Sequence, residues 1–207
     1  MVFLIRAAAI DRDFDPPGYL PCRSALRKKI RYSGLFLLVL ILCFSFSTPR
    51  ELYAGPLQAD EYQVKAAFLL NFARFVEWPT SHVSNNFTIG VLGRDPFDRA
   101  LDSLSGKTVR GKRVVVRRYE DPDEAREADI LFISASEKRS LPRILKKIRG
   151  NPILTVGDSK DFGSSGVMIN LLLLQKRVGF EINLAAAQRD GLQISSNLLK
   201  LAQEVIE

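Results

Sequence analysis

Residues Ile153 to Ile206, ILTVGDSKDFGSSGVMINLLLLQKRVGFEINLAAAQRDGLQISSNLLKLAQEVI, hold three kinds of signal in one uninterrupted run. Ile153-Leu154-Thr155-Val156 is an apolar strand pattern closed by the turn-prone Gly157-Asp158. The Gly/Ser loop Phe162 to Gly166 then leads into Val167 to Leu174, giving strand, loop, strand. After Lys176-Arg177, Val178, Phe180 and Ile182 alternate with Glu181 and Asn183, the pattern of an antiparallel neighbour with one wetter side. The period then becomes helical. Ser195 or Ser196 is placed to cap a helix whose Leu198, Leu201, Ala202 and Val205 fall at i, i+3, i+4 and i+7, a stripe expected to pack on the sheet.

Upstream, strands and helices alternate with short connections. YQVKAAFLLNFARFV, residues 62–76, is apolar around most of a helix, and Trp78-Pro79 ends it. Phe87 to Gly93 reads as a strand, followed by a helix to about Leu104 with Asp95 as cap and Pro96 at its first position. Lys112 to Tyr119 is a second strand, Asp121 to Ala128 a short helix, and Asp129 to Ala135 a third strand. Ser136 or Ser140 caps a helix that turns Leu141, Ile144, Leu145 and Ile148 inward and places Lys146, Lys147 and Arg149 at its C-terminal dipole. Ile153 begins the fourth strand. The class is therefore α/β: a mainly parallel sheet with flanking helices in three Rossmann-like layers, extended by a C-terminal antiparallel pair.

The front of the chain differs from this domain. Gly34 to Ser47, GLFLLVLILCFSFS, is a short apolar run preceded by Arg23, Arg27, Lys28, Lys29 and Arg31 and followed by Tyr53-Ala54-Gly55. That is the layout of a secretory signal with cleavage near Ala54, so residues 1–54 are expected to be an extension and signal peptide, and 60–207 the exported domain. Retention of residues 34–47 as an inner-membrane anchor is the alternative. Eight of the 30 Lys and Arg but four of the 23 Asp and Glu precede Gly55, which leaves 22 against 19, a net charge of about +3 on the exported part. Its basic clusters, Arg110 to Arg118, Lys138 to Arg149 and Lys176-Arg177, read chiefly as solvated faces and strand edges, and nucleic acid is not an expected partner.

Reactive side chains are scarce. Both cysteines, Cys22 and Cys43, precede the expected cut, and His82 is the sole histidine. A disulfide, a thiolate metal site or a histidine-based triad is accordingly hard to build in the exported domain, and neither catalytic residues, a metal nor a cofactor is expected. Asp158, Lys160 and Asp161 could form an acid/base group or an ordinary turn. Gly90 to Gly93 ahead of Asp95 lacks both the full glycine spacing and the lysine of a phosphate loop. Asn170 and Asn183, amides among apolar strand residues, either pin the strands or line a pocket.

Four separated motifs, YQVKAAFLLNFARFVEWP, FTIGVLGRDPF, LTVGDSKDFGSSGVMINLL and RVGFEINLAAAQRDGLQISSNLLKLA, together resemble the YfiR family of exported bacterial proteins from about Tyr62 to Val205. The resemblance implies a periplasmic regulator that binds the periplasmic sensor domain of an inner-membrane diguanylate cyclase, inhibits it and so lowers cyclic di-GMP signalling and biofilm formation. It also implies relief of that inhibition by an outer-membrane lipoprotein. The best-understood member carries disulfides, whereas the exported part here has no cysteine. On this reading the candidate contact residues are Asn71, Phe72, Arg74, Phe75 and Trp78, with Leu172 and Leu174 as further contacts or as the seat of a homodimer. The alternative is a small periplasmic solute-binding protein with its ligand at the strand ends, near Gly93, Ser134, Asp158, Asn170 and Asn183.

Overall fold

In the computed structural model, residues 56–79 and 85–207 are described; the expected signal, both cysteines and His82 lie outside them. The described residues all fall in one unit, Tyr53–Glu207. Its elements run α1 (Pro56–Phe75), β1 (Val76–Glu77), β2 (Asn86–Leu92), α2 (Arg99–Asp102), β3 (Thr108–Val109), β4 (Lys112–Tyr119), a 3-10 turn (Glu124–Glu127) and β5 (Ile130–Ile133). A second 3-10 turn (Ala135–Glu137) precedes α3 (Leu141–Ile148), β6 (Leu154–Gly157), β7 (Ile169–Leu174), β8 (Arg177–Asn183), α4 (Leu184–Arg189), β9 (Gln193–Ile194), α5 (Ser196–Leu199) and β10 (Glu204–Ile206). No helix among the described residues is long and apolar enough to cross a membrane.

Eight strands form one sheet in the order β10-β8-β7-β6-β5-β2-β4-β3, and β1 and β9 form a small antiparallel pair. From β4 through β7 the sheet is parallel, and β8 runs antiparallel to β7, as the alternation in sequence anticipates. Beginning at β2, the chain moves outward to β4, returns past β2 to β5, and continues to β6 and β7, which makes the sheet doubly wound.

The central strands are buried on both faces, so they read as continuous apolar runs. Ile89, Val91, Ile130, Phe132, Leu154 and Val156 point into one core with Leu69, Phe72 and Ala73 of α1. Leu92, Leu131, Ile133 and Ile153 point into the other with Leu141, Ile144 and Ile148 of α3. This alternation places a helical layer on each side of the sheet. Aromatic edges lock α1 in place, with Phe72 and Phe180 rings 5.3 Å apart, and Phe97 standing 4.7 Å from Phe132 and 5.3 Å from Tyr62.

Three helical expectations are corrected. The stripe Leu198, Leu201, Ala202, Val205 does not form a helix: Ser195 caps a single turn through its hydroxyl, which accepts from Leu198 N, and the chain then becomes β10, parallel to β8. Leu201 is left 63% exposed. The edge of β8 offers unpaired backbone groups that the chain end satisfies, beginning with Gln203 N to Phe180 O at 2.8 Å, and this pairing overrides the local helical period. The helix expected from Asp95 to Leu104 shrinks to Arg99–Asp102. Asp95 Oδ1 accepts from Phe97 N in a local turn, and Asp98 at φ 49° breaks the helical path before Arg99. Asp121 to Ala128 contains only the 3-10 turn Glu124–Glu127.

Candidate functional site

Doubly wound sheets take ligands at the C-terminal ends of their strands, where the winding reverses. Here that point lies between β2 and β5, and it brings together Gly93 and Ser134 from the expected set. The space is already occupied. Gly93 has φ +87°, and a Cβ built on it would stand 2.5 Å from Ser136 Oγ and 2.7 Å from Glu137 Oε1. Ser136 Oγ accepts from Arg94 N at 3.0 Å, and Ser134 Oγ accepts from Ser136 N at 3.4 Å. The first turn after β5 thus saturates the backbone donors that a phosphate or carboxylate would use elsewhere.

The other expected pocket residues gather around the loop after β6 but point different ways. Asp158 faces α1. Its Oδ2 accepts from Lys65 Nζ at 2.7 Å and from Tyr62 Oη at 2.9 Å, and Lys65 also meets Glu61 at 2.6 Å, one helical turn away. The side chains of Lys65 and Asp158 are each 5% exposed, so the loop is tied to the helix by a buried ion pair with a tyrosine donor. Burial first, and the Asp158 carboxylate second, push the Tyr62 phenol well above its usual 10.0. Sequence reading missed this network; its visible trace was a lysine four residues after Glu61 in an otherwise apolar helix. Lys160 and Asp161 instead lie exposed on the opposite side, so Asp158, Lys160 and Asp161 do not converge as an acid/base group.

Asn170, fully buried, donates through Nδ2 to Ser159 O at 3.0 Å and to Glu181 Oε1 at 2.9 Å, while its Oδ1 has no partner. Asn183 donates to Gly163 O at 2.9 Å and accepts from Ala186 N at 2.8 Å, capping α4. Gly163 is pressed so closely on Glu181 that a Cβ there would lie 2.4 Å from Oε1. Both amides therefore pin strands to the loop. Beside Asn170 is an open cleft of about 280 Å³ lined by Lys160, Asp161, Ser164, Leu172, Glu181 and Glu204 among others.

The expected contact residues on α1 also divide. Phe72 is corrected: at 0% exposure it packs between Phe68 and Phe180 and is not available to a partner. Phe75 is half-buried against the core. Trp78 stands edge-on to Phe87 at 5.4 Å, and the Arg110 guanidinium lies 5.7 Å from its ring while donating to Val76 O at 2.9 Å. Asn71 and Arg74 are exposed. Asn71 lines a groove of about 520 Å³ between α1 and α2, with Ala66, Ala67 and Leu70 on one wall and Ala100, Ser103 and Leu104 on the other. Small side chains on both walls keep it open. Sequence reading missed the groove because Ala67 and Ala100 carry no pattern beyond helix propensity.

Two of the basic clusters meet at one open cleft of about 660 Å³, where Arg118, Arg143 and Lys147 stand among Glu120, Asp121, Glu124 and Glu137, so its charge is mixed. Arg118 bridges Asp95 and Asp102, Arg117 meets Glu127, and Lys147 is held by Asp121 and Asp123. The Asp123 backbone N–H and then Lys147 hold the Asp121 carboxyl below its usual range. No group of three or more His, Cys, Asp or Glu among the described residues is arranged to hold a metal ion.

Together, a doubly wound sheet with helical layers on both faces and an open groove between α1 and α2 define an α/β domain. The chain belongs to the YfiR/HmsC-like family, whose model matches residues 62–203. That is a family of regulatory domains, still catalogued as of unknown function. The fold is similar to that of a conserved domain protein from Vibrio cholerae (TM-score 0.51, 12% identity) and of an ABC domain from Streptococcus pneumonia solved with L-Trp (TM-score 0.47, 13% identity). Each match covers 70% of this chain and 60% of the other, so the likeness spans about three fifths of those proteins.

Proposed function

We propose that this chain is a periplasmic regulator that represses an inner-membrane diguanylate cyclase by binding the cyclase's periplasmic sensor domain. What carries the reading is the family match over residues 62–203, combined with an unfilled groove on α1, the element that directly follows the expected export signal. Asn71 and Arg74 on the exposed side of α1, with Ala67 on the groove wall, are the contact surface, and a helix or apolar segment of the sensor domain is the occupant. Release by an outer-membrane lipoprotein would compete for the same surface. The groove suits contact rather than chemistry, since its walls are Ala, Leu, Ser and Asn with Gln63, Arg99 and Lys107 at the rim.

A direct test is affinity purification from detergent-solubilised membranes of the host, with the chain as bait. The wild type should retain a cyclase, and Ala67→Glu, which sets a charge in the groove without touching the core, should lose it. Equal recovery by both, or absence of any cyclase from the wild-type eluate, would count against this assignment.

A further inference from the structure

The strand-end side of the sheet keeps a second opening besides the space filled at Gly93. It is the cleft of about 660 Å³ between the segments that follow β4 and β5, the two strands flanking β2. Small ligands of open α/β sheets bind outside the carboxyl ends of the strands, and this volume lies within the usual range of such sites.

Its two walls differ in charge. Ser140, Arg143, Ile144 and Lys147 fall at i, i+3, i+4 and i+7, so they form one stripe along α3. Opposite them stand Glu120, Asp121, Pro122 and Glu124 from the turn after β4. Some of the charges are engaged within the chain. Lys147 reaches across to Asp121 at 3.3 Å and to Asp123, Arg118 bridges Asp95 and Asp102, and Glu137 accepts from Ser136 Oγ at 3.2 Å. Others are not. Among the described residues, the side chains of Arg143, Glu120 and Glu124 make no ion pair or hydrogen bond, and the Ser140 hydroxyl makes no capping bond to α3.

An unpaired guanidinium on one wall therefore stands against unpaired carboxylates on the other. A simple anion would meet Glu120 and Glu124, and a simple cation would meet Arg143 and Lys147. A ligand with one charge of each sign, separated along its length, satisfies both walls. The contact of Lys147 with Asp121 marks the width, since a whole lysine side chain and a carboxylate together span the cleft. That is more than the charge separation of a single α-amino acid, whereas each residue of an extended peptide adds roughly 3.5 Å.

We propose that this cleft binds a short peptide with both ends free, its carboxylate held by Arg143 and Ser140 and its ammonium by Glu120 and Glu124. The guanidinium donates to the carboxylate with two N–H groups, Ser140 Oγ adds a third donor, and the ammonium donates to the glutamates. Pro122 and Ile144 supply apolar contact between the charged ends. The cleft lies on the α3 side of the sheet and shares no residue with the α1 groove, so its failure and the failure of the regulatory reading are separable.

Calorimetric titration of the full chain in mild detergent with dialanine and trialanine tests this. At least one of the two should bind saturably, at one site per chain. The N-acetylated and C-amidated forms, each lacking one end charge, should bind roughly tenfold or more weakly, as should alanine alone. Arg143→Met, and the double variant Glu120→Gln/Glu124→Gln, should each lose roughly tenfold or more in affinity at an unchanged melting temperature, because these side chains make no bond within the chain. Absence of saturable binding by both peptides overturns the proposal. So does binding indifferent to the blocked ends or to either variant, or alanine binding as tightly as the peptides.

Discussion

Lys65 lies in an apolar helix with its ammonium held between Asp158 and Glu61, and little water reaches it. Removing one partner of such a pair leaves the other charged and buried, which costs roughly 3–5 kcal/mol. Urea unfolding of Lys65→Met should therefore show a loss of about that size, whereas the double variant Lys65→Met/Asp158→Leu should recover much of it. Losses that simply add would deny the coupling. Tyr62 makes a second prediction. Its proton is bound more tightly in the folded than in the unfolded chain, so its contribution is complete below pH 10.0 and declines as pH rises beyond it. Stability should fall as pH rises from about 10 upward, with a shallower fall in Tyr62→Phe, the comparison being made by denaturant titration. Neither residue announced itself: a lone lysine in an apolar run reads as a wet stripe, and only the partner 93 positions away turns it into a tether.

At the scale of elements, strands were legible where burial on both faces forces continuous apolar runs, as in Phe87 to Leu92 and Ile130 to Ile133. The antiparallel β7–β8 pair was legible from the alternation after Lys176-Arg177. Helix ends were not, because they depend on competition with distant partners: Gln203 pairs with Phe180 rather than continuing α5, and Asp98 diverts the backbone before α2. The helix α4 went unread because Leu184 to Arg189 follows the strand without a break, its cap being the last residue of β8. Asn183 is thus both strand residue and cap. Asn183→Ala should cost roughly 2 kcal/mol, from the lost cap and the unpaired Gly163 carbonyl, measured by thermal or chemical unfolding. A change within a few tenths of a kcal/mol would mean that the amide pins nothing.

At the scale of the molecule, the sequence pointed to strand ends as the alternative binding region, and the fold does bring Gly93 and Ser134 together there. Packing decides what happens next, since Ser136 and Glu137 fill the space at Gly93, while the α1 groove and the charged cleft between Arg118, Glu137 and Lys147 stay open. Of the contact residues read from sequence, Asn71 and Arg74 remain on the surface while Phe72 is part of the core, a distinction that helical period alone does not make when a helix is apolar on most sides. The regulatory reading therefore rests on the groove, and its reach is set by cyclic di-GMP in the cell. The decisive measurement is the cyclic di-GMP content of a host lacking this chain, complemented with wild type or with Ala67→Glu. The account expects a rise on deletion, restored to the original level by wild type and left high by Ala67→Glu. Nucleotide levels unchanged by deletion would contradict it.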